Sequence, residues 1–134
     1  MLPRRNRLQR EKDFRATYSG GRRYDLPSMV LYVRANGEET VRIGFTVGRK
    51  VGSAVVRNRV KRLLRESCKE ILSTLRPGFD TVLVARASSR GMALPEVRRL
   101  VASLFQKAGM VVESGSRGNA LPEDLRECGG SSSA

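Results

Sequence analysis

A small single-domain α+β fold, four strands and three helices, is what this 134-residue chain predicts, and three stretches carry the prediction. Residues 53–76 repeat apolar side chains at i, i+3, i+4 and i+7, the mark of a long helix with one packed side. Residues 41–47 alternate with period two, so Val41, Ile43, Phe45 and Val47 share one face of a half-buried strand. Residues 81–87 form a short apolar strand, and a last helix opens at Pro95. The length suits one ordinary core and no second one.

In chain order, residues 1–10 hold Arg4, Arg5, Arg7 and Arg10 without an acid, a basic arm expected to stay mobile until it meets a ligand. The domain proper is expected over residues 11–112. A short helix over residues 11–18 is stopped by Gly20 and Gly21. Residues 22–25 read as a brief edge strand and 28–34 as a stronger one. Asn36-Gly37 then reads as a turn joining it to strand 41–47, with a hairpin as the natural connection and a three-strand meander as the result. Ser53 is the expected N-cap of the long helix, which should end before Pro77-Gly78. Its packed side comprises Val56, Val60, Leu63, Leu64, Ser67, Cys68, Ile71, Leu72 and Leu75. Val97, Leu100, Val101, Leu104, Phe105 and Ala108 give the last helix its apolar face. Residues 113–134 are rich in Gly, Ser and acids and read as a disordered tail.

Charge narrows the function. The net charge is +13, and residues 113–134 carry four acids and two cations, which leaves +15 on residues 1–112. Nucleic acid, an anionic membrane and an acidic protein are the partners such a charge admits. The residues between Arg57 and Arg65 include five cations and no acid. At about 100° per residue, Asn58, Arg62 and Arg65 lie opposite the packed side, with Arg59 and Lys61 flanking them. A merely solvated helix face would gain by alternating signs, because like charges at i, i+4 repel. The strip therefore points to a polyanion, and its arginines suit the planar, two-pronged recognition of phosphate. Arg49 and Lys50, just ahead of the helix, join this RNA-binding set.

Other classes lose ground. There is no histidine, and no carboxylate pair or metal-ligand spacing is apparent, so no catalytic or metal-binding residue is assigned. Cys68 and Cys128 are too far apart for a zinc motif and read as a buried thiol and an incidental one. Gly44, Gly48 and Gly52 match no phosphate-loop pattern. No signal peptide or membrane span is visible, and no tryptophan anchors a membrane surface; a cytoplasmic protein without a membrane or small-molecule partner is expected.

Phosphate contacts explain affinity better than choice of ligand. Phe14 and Tyr18 share a helix face, and if that helix lies beside the strand bearing Tyr32, the three rings could line a cleft for unpaired bases. For Phe14 a core role and a cleft role both remain open. The two tyrosines, with hydroxyls that favour a wet edge, suit the cleft. Phe45 and Phe105 are assigned to the core.

Residues 48–66, Gly-Arg-Lys-Val-Gly-Ser-Ala-Val-Val-Arg-Asn-Arg-Val-Lys-Arg-Leu-Leu-Arg-Glu, resemble the signature of the protein subunit of bacterial ribonuclease P. Arg7-Leu8 ahead of Asp13-Phe14, Val30-Leu31-Tyr32 and Val84-Ala85-Arg86 extend the likeness over about residues 2–110. The resemblance implies the ribosomal protein S5 domain 2-like fold, with a left-handed strand–helix–strand crossover. It implies a ribonucleoprotein that removes 5′ leaders from precursor tRNA, with the chemistry carried by a catalytic RNA and Mg²⁺ bound mainly by that RNA. Arg57, Asn58, Arg59, Lys61, Arg62 and Arg65 would then face RNA, and Phe14, Tyr18 and Tyr32 would hold the leader, raising substrate affinity and lowering the Mg²⁺ demand. Where some family members place an aromatic before the last helix, this chain has Leu94-Pro95. A general basic RNA-binding protein and a protein-only nuclease are the rival readings.

Overall fold

A computed structural model describes residues 3–112, so the expected tail lies outside the described residues. Helix α1 spans Glu11–Gly20, and strands β1, β2 and β3 span Arg22–Asp25, Met29–Ala35 and Arg42–Val47. Helix α2 spans Ala54–Ile71, β4 Phe79–Ala85 and α3 Leu94–Lys107. Ser53 caps α2, its side chain accepting a hydrogen bond from the Val56 backbone N–H. The helix tightens into a 3₁₀ turn at Leu72–Thr74 before the Pro77-Gly78 break.

The sheet order is β1-β2-β4-β3. β4 lies antiparallel to β2 and parallel to β3. The expected hairpin between β2 and β3 is therefore not formed, and neither is the three-strand meander. The reason lies in β4, which is buried at every position except Val84 and takes the central place that a strand apolar on both faces needs. The Asn36-Gly37 turn is real, with Gly37 at a φ of +72°, but the chain it reverses passes the entry of β4, so β3 runs opposite to β2 without pairing with it. Asn36 Nδ2 donates to Asp80 Oδ1 at 2.8 Å, and the Asn36 backbone N–H donates to the Gly78 carbonyl at 2.9 Å.

One face of the sheet, with Leu31, Val33, Ile43 and Leu83, packs with α2 and α3 around Leu64, Cys68, Val101, Leu104 and Phe105. The α2 positions expected inside are there: Val60, Leu64, Ser67 and Cys68 are buried, while Val56, Leu63, Ile71 and Leu72 are half-buried. Burial pushes the Cys68 thiol well above its ordinary pKa. Helix α1 lies on the opposite face, against β2 and β4.

The N-terminal segment is not a free arm over its described part. Asn6 Nδ2 donates to the Val41 carbonyl at 2.8 Å, the Leu8 backbone N–H donates to the Ile43 carbonyl at 3.0 Å, and both residues are buried. Residues 3–8 thus close part of the free edge of β3, which would otherwise present unpaired backbone groups.

Asp80 is fully buried in β4 and receives Arg42 through two hydrogen bonds, Nε to Oδ1 and Nη2 to Oδ2, both 2.8 Å. Arg42 is directly opposite it in the parallel register. That hydrogen bonding raises the arginine pKa still further. Arg42→Ala, which strands a buried carboxylate, is expected to cost about 3–5 kcal/mol. Loss of the exposed Glu11–Arg15 pair through Glu11→Ala should change stability by no more than about 0.5 kcal/mol. Urea midpoints measured side by side would check the contrast.

Candidate nucleic-acid interface

The face of the sheet under α1 is only partly covered. Phe14 presses onto Gly44: a Cβ there would lie 2.5 Å from Phe14 Cζ and 3.1 Å from Leu8 Cβ, so the ring needs glycine beneath it. From Phe14 the aromatics run across the sheet. Its ring centroid is 6.5 Å from that of Tyr18, which meets Tyr32 edge-on at 5.0 Å and 83°. All three rings are half-buried, the condition in which a π-face can still receive a base. Phe14 therefore serves both readings, packed below and lining the cleft beside it.

The row is held from two sides. The Tyr18 and Thr46 hydroxyls are 2.6 Å apart and hydrogen-bonded. The Arg23 guanidinium stands 5.9 Å from the Tyr32 ring centroid, within cation–π range, because the β1–β2 register sets Arg23 opposite Tyr32. Asp25 accepts from Arg23 Nε at 2.7 Å and from Arg86 Nη2 at 2.9 Å. The Arg23 hydrogen bond, more than that of Arg86, holds the Asp25 carboxyl below its ordinary value against the opposing effect of burial. The bridge between the two arginines is thus in place above the usual carboxylate range and is lost only as pH falls through that lowered value.

Thr46 also lines a trough of about 570 Å³. Val84 and Val51 line it, together with Arg49, Lys50 and Arg86. Arg49 and Lys50, in the 3₁₀ turn before α2, therefore line this trough together with Thr46. Arg23 and Arg86 are site residues that sequence reasoning missed. Arg86 falls in the Val84-Ala85-Arg86 stretch of the likeness, but no spacing ties either arginine to the rings: the β1–β2 register sets Arg23 by Tyr32, and Asp25 links Arg86 to Arg23.

The strip on α2 is the second surface. Asn58, Arg59, Arg62 and Arg65 are exposed, and Arg59 Nη2 donates to the Met92 carbonyl at 3.0 Å. Arg57 is half-buried and its Nε donates to the Gly52 carbonyl at 3.1 Å, so it braces the start of the helix as well as adding charge. Glu70 is engaged by Arg98 of α3 at 2.9 Å, which takes one of the two nearby acids away from the strip. Lys61 is half-buried and turns toward the edge of β3. Cleft and strip thus lie on either side of that edge strand.

The ribonuclease P sequence family matches residues 2–109. Among curated relatives, the ribonuclease P protein component of Clostridium acetobutylicum is 38% identical over 109 residues, covering 80% of this chain and 92% of that protein. That of Symbiobacterium thermophilum is 38% identical over 110 residues, covering 81% and 96%. The chain belongs to the ribonuclease P protein family. The solved RNase P protein of Staphylococcus aureus superposes with a TM-score of 0.74 at 26% identity, covering 79% of this chain and 97% of that one. The Thermotoga maritima protein gives 0.68 at 30% identity, covering 75% and 96%. Members of the family are the protein component of the endoribonuclease that processes tRNA 5′ ends, and membership disfavours a general basic RNA-binding protein.

Gly44→Ala is expected to lower stability by about 1–3 kcal/mol by forcing Phe14 off the strand. Adding Phe14→Ala should cost less in that background than in the parent, since the clash partner is gone; a thermal double-mutant cycle reads the coupling.

Proposed function

We propose that the protein binds the catalytic RNA through the α2 strip and holds the single-stranded leader of precursor tRNA in the aromatic cleft. The observation that carries this reading is the row Phe14–Tyr18–Tyr32, joined through the Tyr18–Thr46 hydrogen bond to a trough that Arg49, Lys50 and Arg86 line. Aromatic faces beside cations accept an unpaired strand without demanding a sequence, each stacked base contributing about 1–3 kcal/mol. Duplex RNA offers no such faces, so the cleft favours the leader over the tRNA body. Leu94-Pro95 adds no ring, which leaves these three and the trough to do the holding.

Among the described residues no group of three metal-ligating side chains occurs, and the fully buried Asp80 is engaged by Arg42 and Asn36. We assign the Mg²⁺ mainly to the RNA, whose phosphates supply the oxygen ligands this ion prefers. The protein's part is positional and electrostatic: it brings cations to a crowded set of phosphates and so lowers the magnesium needed. Among the described residues no helix is long and apolar enough to cross a membrane. We place the protein in the cytoplasm, with its RNA partners.

Cleavage of precursor tRNA at low Mg²⁺ by a bacterial ribonuclease P RNA tests the reading. Cleavage at the mature 5′ end is expected only with RNA and protein together; cleavage by the protein alone would overturn it. Tyr32→Ala should weaken precursor binding roughly 5- to 100-fold, the equivalent of about one lost base stack, and leave mature tRNA binding unchanged. Equal losses on both RNAs would remove the leader from the cleft.

A further inference from the structure

A second, smaller cavity of about 170 Å³ straddles the free edge of β3 on the other side of Phe14. Four elements converge on it: Arg7 and Leu8 of the N-terminal segment, Phe14 of α1, Phe45 of β3, and Lys61 and Arg65 of α2. Its volume is below the range of pockets that take drug-sized ligands, which suits one planar ring system. Leu8, Phe14 and Phe45 give it an apolar, aromatic lining, and three cations surround that lining with no carboxylate among them. Lys61 and Arg65, one helical turn apart, make no ion pair within the described residues.

The strand edge adds a polar pair. Ile43 turns its carbonyl outward to the Leu8 N–H, so by the two-residue period of a strand Phe45 turns its own N–H and C=O to the same edge. The N-terminal segment has already left that edge for α1, and among the described residues no further strand pairs there. A free anion would have no use for the aromatic lining, and an uncharged apolar ligand would have none for the cations. A nucleotide uses all of it: ring on the aromatic lining, base edge on the strand, phosphate on Lys61 and Arg65.

We propose that this cavity receives an unpaired nucleobase of the RNA that covers the α2 strip. The helix then reads a structural feature of its RNA, a base turned out of its stack, in addition to neutralising phosphates. The inference rests on the reading of α2 as the RNA-binding surface, and the tests separate the two.

On the free protein, adenosine 5′-monophosphate is expected to shift the backbone amide resonances of Gln9, Gly44 and Phe45, while inorganic phosphate at the same concentration is not. Equal shifts from both would leave only an anion site, and no shift from either would leave no site; each overturns the proposal. In the RNA complex, Gln9→Trp obstructs the cavity from an exposed lining position without altering charge. It should weaken binding about tenfold with the salt dependence unchanged, provided its melting temperature matches the parent. Arg62→Ala, on the strip but outside the cavity, should instead lower the slope of log affinity against log salt by about one. Parental affinity in Gln9→Trp with the expected loss in Arg62→Ala overturns the base cavity alone, and no change in Arg62→Ala overturns the α2 reading beneath it.

Discussion

The Arg42–Asp80 pair joins β3 to β4, the strand that stands between β3 and β2. A carboxylate with no solvent exposure in the central strand is tolerable only if its oxygens are occupied. Arg42 satisfies both oxygens from the parallel neighbour, and Asn36 adds a third donor from the turn after β2. The same guanidinium reaches Asp13 of α1, Nη1 to Oδ2 at 3.6 Å. One arginine therefore couples β3, β4 and α1, and the residue after Asp13 is Phe14. The ion pair between β3 and β4 thus also reaches the residue beside Phe14.

That coupling explains a division of surfaces. The face of the sheet with the larger apolar side chains is consumed by α2 and α3, which leaves α1 to cover the other face incompletely. Partial cover is what a binding cleft needs: enough contact to fix the rings, enough opening to admit a base. Gly44 serves the first requirement by letting Phe14 approach the strand, and the Tyr18–Thr46 hydrogen bond serves it again one step along the row. Arg23 and Arg86 stand at the far side, tied to each other through Asp25, so that the cations there are positioned before any phosphate arrives.

The parts legible in the sequence were those whose signals are local. The α2 packed side, its Ser53 cap and its exposed cations follow from spacing along one helix, and Phe14 and Tyr18 share a face by the same rule. Strand order was not legible, because Asn36-Gly37 carries the same turn chemistry whether the returning strand pairs with β2 or leaves room for β4 between them. The docked N-terminal segment was hidden by its arginines: their charge suggests a free arm, while Asn6 and Leu8, between them, supply the buried hydrogen bond and the buried side chain. Arg23 reaches Tyr32 only through strand register, for which no local signal exists. The resemblance over residues 48–66 supplied the family, but the bond network that sets Phe14 on Gly44 comes from the fold alone.

The helix proposed as the RNA surface gains little at its start from its own charges. Among its first residues α2 has no acid, although the partial positive charge at a helix N-terminus favours one, and it places Arg57 there instead. Further along, Lys61 and Arg65 repel each other at i, i+4. Helix-level electrostatics thus oppose the fold, and what offsets them is the packed side: Val60, Leu64 and Cys68, essentially without solvent exposure, each contribute hydrophobic stabilisation at roughly 25 cal/mol per Å² of apolar surface buried. A polyanion reverses the sign of the electrostatic contribution without touching the core. The sequence pattern that looked excessive for a structural helix is consistent with a helix whose stability resides on one side and whose binding resides on the other.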